Sequence, residues 1–407
     1  MKALAKSLMC VAMAACSAVA FTGCDNDSES SATTAPQTTN STGASTQRLT
    51  AAPATADEVP TNPAYNFTKL KQDTDSITAK FDNTLVASKF RGTVYYKLGN
   101  DFEYIGNNGY ADKGSHTYNS LNTNYYIGSL TKQFTAAAVM ILQEQDKLST
   151  DDTLDKYYPD YKYGSDITIR NLLTMTTGLP DYLGKSDESV RANAPQYDIS
   201  EKNSAKDNHS VILKWILSQE IDNDEENYSY SNSDYFILGD IIEKVSGKSY
   251  EEFLKENIFE PLEMTSTTFE STDQLATGYQ DIFDDEWNIY PGVAYSSTGL
   301  ISNLSDLLKW TDAITGSELL SAKSKEEMFT PYKSSFAYGL YVDDCGNYYC
   351  NAAFYRFNAR IVFAQDQSKV FIAFSNYTQS NPKAVKKKKN PKAVNKNLDE
   401  ILKPYLK

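Results

Sequence analysis

Histidine is almost missing from this chain of 407 residues, which contains only His116 and His209. The two lie far apart and show no metal-ligand spacing, so a histidine-based metal site has little to be built from. The same scarcity argues against a Ser-His-Asp triad, because that mechanism needs a histidine as its base. We therefore predict no metal and no cofactor.

Positive charge is also in deficit. The chain has 39 lysines and arginines against 53 aspartates and glutamates, which gives a formal net charge of −14 at pH 7. Nucleic acid is a polyanion that binds basic surfaces, so general nucleic-acid binding is not expected.

Long apolar runs are missing after the N-terminus. At the N-terminus itself, the basic MKALAK precedes the apolar run SLMCVAMAACSAVAF. This run is too short for a typical transmembrane helix but is typical of an export signal. Cys24 follows in FTGC. This pattern resembles a bacterial lipoprotein signal, which implies that residues 1–23 are removed and that Cys24 is lipidated. An ordinary secretory signal, or lipidation at Cys16, is the alternative. The prediction is an exported protein, anchored to the bacterial envelope membrane in the periplasm or at the cell surface.

Residues 24–62 are rich in Ser, Thr, Ala, Asn and Asp and poor in large apolar residues. Such a segment cannot bury a core, so it is predicted to be a disordered tether with a root-mean-square reach of roughly 35 Å. The folded domain is then residues 63–407.

Only two of the five cysteines, Cys345 and Cys350, lie in that domain. They flank the turn signal Gly346-Asn347 in YGLYVDDCGNYYCNA. In an oxidising compartment they could form a disulfide across a hairpin, and two thiols are the alternative.

The hydrophobic period changes twice along the folded domain. Strand-like stretches open it (RGTVYYKLGN, DFEYIGNNGYAD) and close it (FAYGLYVDD, YYCNAAFYRF, ARIVFAQD, KVFIAFSN), whereas the middle has helical spacing, as in SVILKWILSQEI and SDYFILGDIIEKVSGKSYEEFLKENIF. This order predicts an α+β fold of the α/β sandwich type, with an antiparallel sheet flanked by helices. The sheet subdomain takes about 63–128 and 285–407, and a mostly helical insertion takes about 129–284.

The stretch YIGSLTKQFTAAAVMILQEQ places Ser129 and Lys132 three residues apart at the start of a predicted helix. Residues i and i+3 are neighbours on a helix, so the lysine amine can reach the serine hydroxyl. Burial would lower the lysine pKa and let the amine accept a proton, which would make Ser129 a nucleophile without histidine. The alternative is that Ser129 is only a helix N-cap and Lys132 a solvated side chain.

A second element, NYSYSNSDYFILGDII, contains Tyr230 and Asn232, which share a side if the segment is extended. A tyrosine held partly as phenolate near a lysine could relay a proton to a leaving group. The asparagine amide could bond both the lysine and a substrate amide. The alternative is a packed tyrosine at a helix start, with Asn232 as the cap.

These elements together resemble the serine β-lactamase and penicillin-binding-protein-like superfamily, in its class C β-lactamase and DD-peptidase branch. GSLTKQFTAAA resembles the SxxK motif and YSYSNSDYFILGDIIEKVSG the YxN motif. ITIRNLLTMTTGLPDY, FEPLEMTSTTF, LATGY and TGLISNLSDLLKW resemble the connecting segments, in family order over about 67–376. The resemblance implies that Ser129 is acylated, Lys132 is its general base, Tyr230 relays the proton and Asn232 orients Lys132 and the substrate.

The third motif of the superfamily, usually Lys-Thr-Gly or His-x-Gly, departs from the pattern. Aligned to it here is Asn351-Ala352-Ala353, which has no cationic or imidazole group. By this alignment Phe354 gives the second oxyanion N–H beside that of Ser129. Arg356 or Arg360 could supply the missing charge.

The resulting prediction is an envelope-anchored serine hydrolase that forms an acyl-enzyme on an amide or ester. The candidate substrates are a cell-wall D-amino-acid peptide, a small ester or a β-lactam, and the altered third motif argues against an efficient β-lactamase. The alternatives are a catalytically weak binding module that keeps the fold and a purely structural surface protein.

Overall fold

The computed structural model describes residues 67–70, 85, 90–100, 102–183, 205–221, 227–280, 293–354 and 356–378. By internal contacts the chain divides into Met1–Glu58 with Lys407, and Val59–Leu406. All residues of the first unit, including Cys16 and Cys24, lie outside the described residues. The boundaries predicted for signal, tether and subdomains therefore stay predictions.

Seven strands form one antiparallel sheet in the order β1-β3-β2-β12-β11-β10-β9. The first three come from the N-terminal part of the folded domain and the other four from its C-terminal part, which confirms the predicted sheet built from both chain ends. The strands are β1 (Phe67–Leu70), β2 (Gly92–Leu98), β3 (Phe102–Asn108), β4 (Tyr110–Asp112), β5 (Thr117–Tyr118), β6 (Tyr125–Tyr126), β7 (Tyr279–Gln280), β8 (Ile301–Ser302), β9 (Tyr341–Val342), β10 (Tyr348–Phe354), β11 (Phe357–Phe363), β12 (Lys369–Ser375) and β13 (Tyr377–Thr378).

Helices fill the sequence between the two groups of strands. They are α1 (Thr131–Glu144), α2 (Ile169–Thr174), α3 (Ala205–Leu217), α4 (Asn232–Ser246), α5 (Tyr250–Leu254), α6 (Leu304–Thr315) and α7 (Ala322–Phe329). A helical spacing that runs unbroken from Ser233 to Phe259 in sequence is divided in the structure, because Gly247 takes a φ of +71° and ends α4. Within the part of the chain that the structure describes, every helix is too short or too polar to cross a bilayer.

The sheet is buried on both faces. On β10, Cys350, Ala352 and Phe354 belong to the large core that also contains the helices. On the opposite face, Val362 and Phe371 pack in a smaller core with residues of β2 and β3. Strand alternation therefore separates side chains that point toward the helices from those that point away.

Helix α1 is the centre of the large core. Twelve consecutive residues, Thr131–Leu142, are buried, so nothing in the first three turns faces water. Phe134 stacks on Trp310 of α6 with ring centroids 4.0 Å apart. A helix buried all round holds its N-terminus, and with it Ser129 and Lys132, at a fixed place beside β10.

The hairpin of β9 and β10 decides the state of the two cysteines. Between these two described residues there is no disulfide: both are thiols, Cys345 exposed and Cys350 buried. Cys345 lies in the turn, whereas the strand pairs are Tyr348 with Val342 and Tyr349 with Tyr341. The two cysteines are not cross-strand partners, so the structure has the alternative of two thiols.

Candidate active site

The candidate nucleophile, Ser129, lies in a short 3-10 helix, Gly128–Leu130, that runs directly into α1. Gly128 has a φ of +52°, and a Cβ there would come within 3.1 Å of the Cβ atoms of Ala352 and Phe354. Glycine tolerates both this conformation and this approach, so it lets the serine turn sit against β10. The Ser129 side chain remains partly exposed.

Ser129 does not cap a helix. The N-cap residues of the 3-10 helix and of α1 are Ile127 and Leu130, and neither helix has a side-chain cap hydrogen bond. Instead, Oγ of Ser129 lies 2.7 Å from the hydroxyl of Tyr230 and 3.3 Å from Nζ of Lys132. The helix-cap alternative is therefore wrong.

Lys132 is buried, with 1% of its surface exposed. Its Nζ donates to Oδ1 of Asn232 at 2.7 Å and to the carbonyl oxygen of Ser297 at 2.8 Å. Burial lowers the pKa of Lys132 to about 7, although nearby Asp181 acts in the opposite direction. Near pH 7, much of the amine is therefore neutral and can accept a proton.

The partners of Lys132 also fix the direction of its lone pair. The Asn232 and Ser297 oxygens can only accept, so a neutral amine must give both of its N–H groups to them. The position that remains at Nζ faces Oγ of Ser129. This arrangement suits transfer of the serine proton to Lys132.

Tyr230 and Asn232 reach Ser129 and Lys132 from the start of α4. Asn232 is the first residue of the helix, and Ser231 caps it by accepting from the N–H of Ser233, so the alternative of Asn232 as cap is wrong. Burial raises the pKa of Tyr230 well above its usual range, which disfavours the phenolate considered from the sequence. A neutral phenol 2.7 Å from the serine can still pass a proton to a leaving group.

Two groups in this network were not picked out from the sequence. Asp181, in the loop after α2, accepts from the side-chain amide of Asn232 at 3.0 and 3.1 Å. The carbonyl oxygen of Ser297 contacts Lys132 from the loop before β8. Asp181 lies in the quoted stretch TTGLPDY, where an acid after a Gly-Leu-Pro turn was the available signal, whereas a backbone carbonyl leaves no sequence signal.

The register of β10 sets which of its N–H groups face β11 and which face the other edge. Phe354 pairs with Phe357 across a two-residue turn, so its N–H faces β11. N–H groups alternate along an antiparallel strand, so those of Asn351 and Ala353 point to the other edge, beyond the reach of β9. The Gly128 turn lies over Ala353, whose carbonyl carbon would be 3.7 Å from a Cβ at that glycine. The N–H of Phe354, predicted from the sequence to be the second oxyanion donor, therefore faces β11 instead, and that of the neighbouring Ala353 faces the open edge.

The residue of β10 that faces Lys132 is Cys350, not Asn351. Cys350 is 4% exposed, and burial raises its pKa to about 12, so it is a neutral thiol. Asn351 pairs with Arg360, and both alternate away from the helix-facing residues. Arg360 is therefore on the wrong face to replace the missing cation, and Arg356 lies in the turn before β11 with a φ of +69°.

A second cluster brings a histidine to two acids. Among the described residues, His209, Asp240 and Glu243 have potential metal-ligand atoms within 4.8 Å of one another. Both Lys244 and Tyr158 donate to Oδ2 of Asp240, and a lysine cation there opposes a bound metal. Sequence spacing did not reveal this cluster, because His209 comes from α3 and the acids from α4.

Comparison with known proteins gives family membership. The family model "Beta-lactamase" matches residues 85–396. The putative penicillin-binding protein PbpX of Bacillus subtilis (strain 168) is 30% identical over 314 residues, which cover 75% of each chain. Penicillin-binding protein 4* of the same organism is 31% identical over 264 residues, which cover 60% of this chain and 56% of that protein.

Solved structures give the same fold. FmtA from Staphylococcus aureus superposes with a TM-score of 0.64 at 22% identity, covering 83% of this chain and 92% of that one. D-amino acid amidase from Ochrobactrum anthropi SV3, complexed with D-phenylalanine, has a TM-score of 0.65 at 20% identity, covering 81% and 98%. The family match over residues 85–396 and the similarity to PbpX show that the chain belongs to the β-lactamase family, together with penicillin-binding proteins.

Proposed function

We propose that this protein is an envelope-anchored serine hydrolase that cleaves an amide or ester through a covalent acyl-enzyme on Ser129. The observation that carries the proposal is the direction of the Lys132 amine. Its two acceptor-only partners leave one position at Nζ, and that position faces Oγ of Ser129 at 3.3 Å. A binding protein has no need of a buried lysine held in this way.

Acylation follows from these contacts. Oγ of Ser129 attacks the substrate carbonyl carbon while its proton passes to Nζ of Lys132, which forms a tetrahedral oxyanion. The N–H groups of Ser129 and Ala353 stabilise that oxyanion. The C–N or C–O bond then breaks as the Tyr230 hydroxyl gives its proton to the leaving group, and the proton held by Lys132 passes to Tyr230 in return. Water later attacks the acyl-enzyme, releases the acid and regenerates Ser129.

The substrate class is an acyl group joined to an amine or alcohol, and a D-amino-acid peptide of the cell wall is the candidate that fits best. PbpX and penicillin-binding protein 4* carry penicillin-binding names, and a structural neighbour is a D-amino acid amidase. An extracytoplasmic protein would meet such material. A β-lactam or a small ester has the same reacting group, and the neutral thiol of Cys350 gives no charge for a carboxylate on any of these substrates.

The location is part of the proposal. A lipid at Cys24 would hold the domain at the envelope membrane, with residues 24–62 as the tether. The test is metabolic labelling with an alkyne fatty acid in a bacterial host, comparing the full chain with Cys24→Ala and Cys16→Ala. Label lost only in Cys24→Ala supports the anchor at Cys24. Label retained there, or lost only in Cys16→Ala, contradicts it.

The activity is tested by intact-mass spectrometry of the full chain after incubation with a fluorophosphonate and, separately, with a penicillin. Ser129→Ala is the control. A fluorophosphonate adduct that is lost in the control supports an activated Ser129, and a penicillin adduct in addition favours a cell-wall peptide substrate. Folded protein that forms neither adduct would contradict the proposed mechanism.

A binding module is the second candidate, and Cys350 is the observation that favours it. The side chain that faces Lys132 from β10 is a buried neutral thiol, where the superfamily usually has lysine or histidine. Folded protein that binds a cell-wall D-amino-acid peptide but releases no cleavage product from it would support this reading. Rapid release of penicilloic acid would oppose it.

A further inference from the structure

We infer that Asp181 is a positioning residue: it holds the Asn232 amide so that the oxygen, and not the nitrogen, faces Lys132. The amine lone pair is thereby directed at Ser129. The inference rests on the proposed acyl-enzyme mechanism and adds to it a residue that does not touch the substrate.

The orientation of an amide is decided by its partners, because its oxygen and nitrogen are alike in size but opposite in hydrogen bonding. Nδ2 of Asn232 donates to Oδ1 of Asp181 at 3.0 Å and to Oδ2 at 3.1 Å. The backbone N–H of Asn232 also donates to Oδ1, at 3.1 Å. With Nδ2 committed to a carboxylate, Oδ1 of Asn232 is left for Nζ of Lys132 at 2.7 Å.

The Asp181 carboxylate is itself held in place. The N–H of Leu183 donates to its Oδ1 at 3.0 Å. On either side of Asp181, the carbonyl oxygen of Pro180 accepts from Oγ of Ser233, and the N–H of Tyr182 donates to the same Oγ, at 2.6 and 3.0 Å. The loop is thus tied to the first turn of α4, and every group that contacts the carboxylate in these hydrogen bonds is a donor, as the ionised form requires.

A reversed Asn232 amide would disable the base. Nδ2 would then face Nζ, which in the ammonium form has no acceptor to offer. In the neutral form, the Lys132 lone pair would accept from Nδ2 and would no longer point to Ser129. The oxygen of the reversed amide would meanwhile face the Asp181 carboxylate, acceptor against acceptor. Asp181 therefore selects the only amide orientation in which Lys132 can take the serine proton.

Asp181 also supplies charge. The groups that face the Lys132 amine are Asp181 from the loop after α2, Tyr230, Asp234 and Tyr235 from the start of α4, and Cys350 from β10. Burial raises the pKa of both tyrosines and of Asp234 well above their usual ranges, and that of Cys350 to about 12. Burial also raises the pKa of Asp181, but the donors from Leu183 and Asn232 act against this and favour the carboxylate, and a carboxylate there favours the protonated lysine.

The test compares Asp181→Asn with Asp234→Asn in the full chain. Asp234 is a matched control because it is also buried beside Lys132, but it accepts from Thr177 and does not contact the Asn232 amide. We expect Asp181→Asn to lower the fluorophosphonate labelling rate of Ser129 about 10- to 100-fold, because two amide N–H groups would face each other. The rising limb of the pH profile should move about half a pH unit or more toward acid, because an anion is lost beside Lys132. Asp234→Asn should leave the labelling rate on the plateau of the pH profile unchanged, because it keeps every hydrogen bond of the Asn232 amide to Asp181.

A second variant separates positioning from damage to the fold. Asp181→Asn combined with Asn232→Asp again pairs a donor with an acceptor and leaves a carboxylate oxygen for Lys132, so labelling should recover by at least about tenfold over Asp181→Asn when each rate is taken on the plateau of that variant's own pH profile. Three results would overturn the inference: an unchanged rate and pH limb in Asp181→Asn, the same loss in Asp234→Asn, or no recovery in the double variant when it is folded.

The inference can fail separately from the proposed function. Lysine labelled with ¹³C at Cε should give one NMR signal that titrates near pH 7 and is missing in Lys132→Ala. In Asp181→Asn that titration should move toward acid even if Ser129 acylates nothing. A wild-type chain without labelling rejects the proposed function, whereas an unmoved Lys132 titration rejects the role of Asp181.

Discussion

Nζ of Lys132 lies 3.3 Å from Oγ of Ser129, and only 1% of the lysine surface is exposed to water. Burial lowers its pKa from 10.5 to about 7. The same burial that makes the amine a base also makes its charged form costly to the fold. Activity and stability should therefore respond to Lys132 in opposite directions.

The first prediction concerns pH and activity. The labelling rate of Ser129 should rise about tenfold per pH unit below pH 7 and level off above it, because the neutral amine is the reactive form. Stopped-flow labelling with a fluorophosphonate over pH 5–9 measures how the rate rises with pH. A flat profile over this range would show that Lys132 is not the base.

The second prediction concerns pH and stability in Lys132→Met. A lysine whose pKa is lower in the folded than in the unfolded state destabilises the fold when pH is below both values, and this penalty fades as pH rises from 7 toward 10.5. The variant should be unlabelled, yet its free energy of unfolding relative to wild type should be most favourable at pH 6 and less favourable at pH 9. Urea titrations at the two pH values measure the difference. A difference that does not change with pH would contradict the prediction.

Tyr230→Phe tests the hydroxyl alone. The ring that lies 5.0 Å from Nζ of Lys132 is kept, while the O–H that lies 2.7 Å from Ser129 is lost. We expect hydrolysis of an amide to fall by about 10²-fold or more, because its amine leaving group needs a proton. An activated aryl ester, whose leaving group does not, should be much less affected. Equal losses on both substrates would point to a purely structural role for the tyrosine.

How far the sequence alone could go is clear from the sheet and the Ser129 turn. Alternating strands at both chain ends and the i, i+3 spacing of Ser129 and Lys132 are local patterns, so they predict the fold class and one pair of neighbours. The encounter of Asp181 with Asn232 is different. It depends on how a loop packs on α4, across a sequence separation of 51 residues, and no local pattern encodes that contact.

The register of strand β10 is the second feature that the sequence alone does not predict. The sequence locates the strand of the third motif but not which of its N–H groups face the site. That direction is set by the turn that pairs Phe354 with Phe357, and a shift of one residue reverses it. The difference between Phe354, predicted from the sequence, and Ala353, whose N–H faces the open edge, is of this kind.

The cysteines provide a prediction about chemical reactivity. Cys345 is exposed, whereas Cys350 is 4% exposed and burial raises the pKa of its thiol to about 12. Iodoacetamide should therefore alkylate Cys345 in the folded chain at least about 10²-fold faster than Cys350, and both equally in denaturant. Peptide mass mapping gives the two rates. Protection of both residues until a reductant is added would instead reveal the disulfide.

Ala353→Pro tests a backbone donor without changing a charged or polar side chain. The N–H of Ala353 points to the edge of β10 that β9 does not reach, so proline there removes no ladder bond of the sheet. If this N–H stabilises the oxyanion, the acylation rate should fall by about 10²- to 10³-fold while the midpoint of urea unfolding changes little. Ala353→Ser is the matched control, because it adds polarity at the same exposed position and keeps the N–H. If both variants acylate at the wild-type rate, Ala353 is not part of the oxyanion hole. If both lose a comparable amount of activity, the effect comes from the side chain and not from the N–H.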